Sequence, residues 1–242
     1  MWAKILALVF LTFFAIYISK ADSNMSVIPF HDFDEGHRAE NAKKMKEYFS
    51  FLVPLTGSPV DRSADLRIPL RENPNLFLYY HPERPPFVYW LMIVSTSAFG
   101  ESEWAYRLPS LLMALATVLS FLFFAGVSGK SINIFAFSSG FVALITSADL
   151  WLSGQYAQLD TSLTFFLFTS LLTLILYCEQ KKPIYILVSG LSFSLAVLSK
   201  GQPAIIFMPP LLFLWINKKL NRGDILKFFA SAGIILIPWF FL

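Results

Sequence analysis

Charge is scarce in this chain. Only 14% of its 242 residues are Asp, Glu, Lys or Arg, against about 25% in soluble domains. With 56% hydrophobic residues, that scarcity excludes an ordinary soluble globule, because apolar stretches of this length need lipid or one another for cover. A formal net charge of +3 is too small to draw a nucleic acid. Cysteine is nearly absent too. The single Cys178 excludes an internal disulfide and any multi-cysteine metal site. There are no low-complexity tracts and no clear repeat. What fills the chain instead is a series of apolar runs, at about 2–19, 87–99, 108–127, 132–148, 161–178, 184–199, 203–216 and 225–242.

The second run decides the topology. Thirteen helical residues extend about 20 Å, short of a hydrocarbon core about 30 Å thick. Lys and Arg give an independent test. The short loops hold Lys130, Lys181, Lys182, Lys218, Lys219, Arg222 and Lys227. If 87–99 stays at the surface and the N-terminus is cytoplasmic, all of them fall on the cytoplasmic side, as the positive-inside bias requires. The fold class expected is therefore an all-α polytopic membrane protein. It has about seven spanning helices, a retained first helix, and one extracytoplasmic loop over 20–107 bearing amphipathic interfacial helices. Phe87, Tyr89 and Trp90 suit the headgroup level. In the loop, 34–52 reads as a helix, with Ala39, Ala42, Met45 and Phe49 at helical spacing and Asp34 and Glu35 at its start. The stretch 56–75 reads as loop, from its Pro, Gly, Ser and Asn content. Residues 1–242 form one domain. Its uncharged apolar end, FFASAGIILIPWFFL, is expected to continue into a longer protein.

The few charges near apolar runs are informative, since burial near hydrocarbon is costly and such groups usually face a cavity. Asp149, Asp160 and Lys200 all lie toward the external face in this topology. Taken singly, Asp160 equally reads as a helix cap and Lys200 as a snorkelling cation. HDFDEGH (31–37) offers Asp34 and Glu35 as general bases. Its Asp32–Asp34 pair is of the type that holds Mg²⁺ or Mn²⁺, with a solvated acidic loop as the plainer reading. In HPERPPFVYW (81–90), Arg84 would fork onto a phosphate or anchor an interfacial helix. Jointly, carboxylates and cations from distant stretches converge on one membrane face.

In order along the chain, D-E, E-R-P-P-F-V-Y-W-L, F-G-E-S-E-W-A-Y-R-L-P-S, L-D-T-S-L-T-F-F and L-S-K-G-Q-P resemble the membrane glycosyltransferases of the GT-C fold. The group in question includes protein O-mannosyltransferases and the lipid A aminoarabinose transferase. The resemblance covers about 30–205. It departs from the family pattern at Arg84 (usually Lys), His37 and Gln158 (often Arg), and Gln202, which separates Lys-Gly from Pro203.

The resemblance implies an enzyme. Its donor would be a polyprenyl-phosphate-linked sugar, its acceptor a hydroxyl on a lipid, glycan or protein, and its transfer inverting. Asp34 would be the base, and Asp160 would position it or a substrate. Arg84 and Lys200 would meet the lipid phosphate. Glu35, Glu83 and Tyr89 complete the expected substrate contacts. No metal ligands are assigned; no cofactor is required, and a divalent cation, Mg²⁺ or Mn²⁺, is the one candidate. The expected location is a bacterial inner membrane, with the site facing the periplasm or outside. Two other classes stay open: a non-catalytic subunit or fragment of such a transferase, and a lipid-phosphate or anion transporter. Transporters place charges near the midplane, often with internal symmetry, and neither feature is evident here.

Overall fold

The computed structural model describes residues 25, 29–30, 33–56, 67–69, 77–80, 84–128 and 134–241. Helices dominate them: α1 (Phe33–Tyr48), α2 (Phe87–Phe99), α3 (Glu103–Ser128), α4 (Ile134–Ile145), α5 (Ala148–Gly154), α6 (Asp160–Gln180), α7 (Pro183–Lys200), a 3₁₀ segment (Gln202–Phe207), α8 (Met208–Ile216) and α9 (Arg222–Phe240). Four of these, α3, α6, α7 and α9, are long and apolar enough to cross a membrane. At 13 residues, α2 is not. The expected first helix, 2–19, lies outside the described residues, as do His31, Asp32, Glu83 and Lys130.

Two expectations for the loop need correcting. The stretch read as featureless carries part of a three-stranded antiparallel sheet, β1 (Leu55–Thr56), β2 (Arg67–Pro69) and β3 (Phe77–Tyr80), in the order β1-β3-β2. Strands of two to four residues are too short to show alternation, and their pairing spans distant sequence. In α1, Ala39, Ala42 and Met45 are buried as expected, but Phe49 is 72% exposed. The helix ends at Tyr48, and Phe49 turns left-handed with φ 56°. That turn swings its side chain off the apolar stripe.

Proline and small residues fix how the long helices pack. Pro109 lies inside α3 and has no N–H to offer the carbonyl of Ala105. The Ser95 hydroxyl of α2 donates to that carbonyl instead, at 2.6 Å. Ser170 and Ser189 each donate to the other's backbone carbonyl at 2.8 Å, tying α6 to α7. Gly190 lets α9 close on α7: a Cβ there would sit 2.0 Å from Ser231 Oγ and 2.3 Å from the Phe228 carbonyl.

The two ends of the bundle differ in chemistry. At one end Lys200, closing α7, pairs with Asp160, opening α6, and Trp239, near the end of α9, donates to the Leu52 carbonyl at 3.4 Å. At the other, Gln180 donates to the Val127 carbonyl at 3.1 Å and Lys181 to the Lys219 carbonyl at 2.6 Å. The basic residues 181, 182, 218, 219 and 222 all belong to the second end.

Candidate active site

The first turn of α1 splits two neighbouring carboxylates, because successive helical residues point about 100° apart. Glu35 turns inward and is 1% exposed. Its two oxygens accept from Arg107 Nε at 2.7 Å and Nη2 at 2.9 Å, and Oε1 also accepts the Ala157 N–H at 2.8 Å. Arg107 is fully buried and also donates to the carbonyls of Met25 at 3.0 Å and Pro29 at 3.1 Å. A buried ion pair is tolerable only when its remaining donors and acceptors are satisfied in this way. Asp34 turns outward, its side chain 57% exposed, and accepts from Arg38 Nη2 at 3.0 Å.

Arg38 and Glu35 together hold one residue of a distant loop. Glu35 takes the N–H of Ala157, and Arg38 Nη1 donates to its carbonyl at 3.2 Å. Ser110 grips the next residue, with its hydroxyl 3.0 Å from both the N–H and the carbonyl of Gln158. Two residues later comes Asp160. The R-L-P-S element therefore works as scaffold: Arg107 reaches α1, Pro109 frees a carbonyl for α2, and Ser110 fixes the loop that delivers Asp160.

The cations arrive from the other side. Lys200 pairs with Asp160, with side chains 36% and 43% exposed. The next residue, Gly201, has φ 75°, a conformation that favours glycine. It packs on the Pro-rich elbow, where an added Cβ would lie 3.5 Å from Pro85 Cγ. Arg84, half-buried, precedes that proline. Its charge reaches His37 on α1: burial, then Arg84, pushes the imidazole pKa down, against the opposing pull of Glu40 and Asp34. Contacts from 34 to 38 to 157, from 160 to 200 and from 201 to 85, with the Arg84 charge acting on His37, outline a ring at one end of the bundle.

Asp34, Asp160, Arg84 and Lys200 lie in this ring. Two other expected contacts do not fit direct substrate binding. Glu35 is sealed beneath the site with both oxygens engaged. Tyr89 is wholly buried against α1, packed in a cluster with Ala39, Ala42 and Met45; it faces the loop's own core, not the headgroups. Among the described residues no group of three His, Cys, Asp or Glu side chains is placed to hold a metal ion. Sequence reasoning missed Arg38 and the role of Arg107. The first had a signal, its i, i+4 spacing from Asp34. The second is a charge at the edge of an apolar run, open to the same cost argument as Asp160.

Comparison with known proteins places this architecture. The chain superposes on the crystal structure of ArnT from Cupriavidus metallidurans in the apo state with a TM-score of 0.70, at 16% identity over 97% of this chain and 41% of that one. Against the same protein bound to undecaprenyl phosphate the TM-score is 0.69, at 18% identity over 96% of this chain and 40% of that one. An uncharacterized protein of Aquifex aeolicus is 25% identical over 214 residues, 86% of this chain and 38% of that protein. The chain thus spans about two fifths of the length of the relatives it matches. The fold is that of the GT-C membrane glycosyltransferases. Within that class, the chain belongs to the dolichyl-phosphate-mannose-protein mannosyltransferase family, whose model matches residues 83–241.

Proposed function

We propose that this protein moves a sugar from a polyprenyl-phosphate donor to a hydroxyl of a lipid, glycan or protein acceptor, inverting the anomeric centre. The observation that carries the reading is the exposed Asp34 carboxylate, whose partner Arg38 reaches the loop leading to the Asp160–Lys200 pair and whose helix carries His37 within the field of Arg84. Family membership and the undecaprenyl phosphate held by the similar ArnT structure support it.

Asp34, not Glu35, is the base, because only its carboxylate is open to an incoming hydroxyl. It takes the acceptor proton as the acceptor oxygen attacks the anomeric carbon. The bond from that carbon to the phosphate oxygen breaks, its electron pair goes to the phosphate, and polyprenyl phosphate leaves. Arg84 and Lys200 stabilise the charge that grows there. Asp160 holds Lys200 in place. Residues 1–242 act as one transmembrane domain of about seven spans, with 20–107 outside. The basic end faces the cytoplasm and the Asp34 end the periplasmic face of a bacterial inner membrane.

The test is sugar transfer from a labelled polyprenyl-phosphate donor by membranes holding equal amounts of each variant. Asp34→Asn and Arg84→Ala are each expected to lower transfer by about 100-fold or more. Undiminished transfer in both variants would overturn the mechanism.

A further inference from the structure

At the end of the bundle away from Asp34, an apolar groove of about 520 Å³ runs between α8 and α9. It exists because α9 leans onto α7 at Gly190, while α8 follows the 3₁₀ segment along its own path. Leu211, Leu212 and Trp215 line one wall; Ile225 and Phe229 line the other. Each set repeats at helical spacing, so each helix offers the groove a continuous apolar stripe.

Arg222 stands at the mouth. Among the described residues, no ion pair or side-chain hydrogen bond engages its guanidinium. The turn that precedes it carries Lys218 and Lys219, both exposed. From 201 to 242 the sequence has one acid, Asp224. That carboxylate is 3% exposed and already engaged: it accepts from the Tyr177 hydroxyl and closes a capping box with Asn221. It leaves the mouth strongly cationic.

We infer that this groove binds an anionic phospholipid of the leaflet at the basic end. One acyl chain would lie along the two stripes and the phosphate would sit on Arg222 and the turn lysines. An apolar channel closed by unpaired cations at headgroup level fits a charged lipid better than a neutral one. It also fits a lipid better than a further helix, which would have to bring its own carboxylate to bury Arg222. The inference is independent of the proposed transfer chemistry, since the groove and the Asp34 ring are at opposite ends.

The test uses the full-length protein in detergent. Lipid retention is followed by native mass spectrometry, and melting temperature is followed on adding phosphatidylglycerol, phosphatidylcholine or inorganic phosphate. Phosphatidylglycerol is expected to be retained and to raise the melting temperature, and the other two are not. Arg222→Gln should weaken phosphatidylglycerol retention by about fivefold. Leu212→Trp, which fills the groove and keeps the charge, should weaken it as well. Equal retention of the two lipids, protection by free phosphate alone, or an unchanged Arg222→Gln variant would overturn the inference. So would a groove filled by another part of the polypeptide with no lipid retained.

Discussion

Arg107→Met is the sharpest test of the scaffold beneath the site. Arg107 and Glu35 are 0% and 1% exposed, so removing the guanidinium leaves a carboxylate stranded in the protein interior. Breaking a buried pair in this way costs about 3–5 kcal/mol. The Met25 and Pro29 carbonyls lose their donors at the same time, which places the expected loss toward the upper part of that range. The internal control is Lys43→Met. Lys43 pairs with Glu101 at 3.4 Å, but the two side chains are 50% and 41% exposed, and such pairs contribute about 0–1 kcal/mol. Equilibrium unfolding of both variants in one detergent compares them directly. The double variant Glu35→Gln, Arg107→Met should recover part of the loss, since it removes the stranded charge. A loss for Arg107→Met no larger than for Lys43→Met would refute the claim that this pair pins α1 to α3.

Three further outcomes follow from the geometry. Gly190→Ala places a methyl 2.0 Å from Ser231 Oγ and 2.3 Å from the Phe228 carbonyl; it should destabilise by about 1–3 kcal/mol. Gly126→Ala, with nothing within 4 Å, should not. His37 has a pKa below its ordinary 6.5 through burial and the nearby Arg84. The folded state therefore keeps the ring neutral where the unfolded chain would protonate it, a contribution fully present above 6.5 and lost as pH falls from there through the folded value. The melting temperature should drop more steeply on acidification in the wild type than in His37→Gln; parallel curves would contradict this. In a Cys178→Ser background, a cysteine at Glu47 should react with an impermeant reagent from outside and one at Lys218 only after the membrane is opened. The reverse pattern would invert the topology.

Much of the fold was legible because it is local. The length of 87–99 matched α2 residue for residue, and the runs that became α3, α6, α7 and α9 announced themselves by hydropathy. Asp160 and Lys200 stood out because a charge beside an apolar run is costly without a partner, and Asp34 and Arg84 through the D-E and E-R-P-P motifs that resemble the family pattern. Pairings between distant stretches were not legible. Glu35 finds Arg107 across 72 residues and Arg38 finds the Ala157 carbonyl across 119. No periodicity records such separations. For the same reason Glu35 looked like Asp34 in sequence, although one helical residue's rotation puts one in the interior and the other on the rim. Tyr89 was misplaced because an aromatic at an interfacial position and one buried under α1 have the same local pattern.

The most direct measurement is an experimental structure of the full-length protein with polyprenyl phosphate bound. The account predicts the phosphate on the Arg84 and Lys200 side of the ring, with the Asp34 carboxylate opening toward the same space. A phosphate held at the basic Lys218–Lys219 end alone, or one walled off from Asp34, would contradict it.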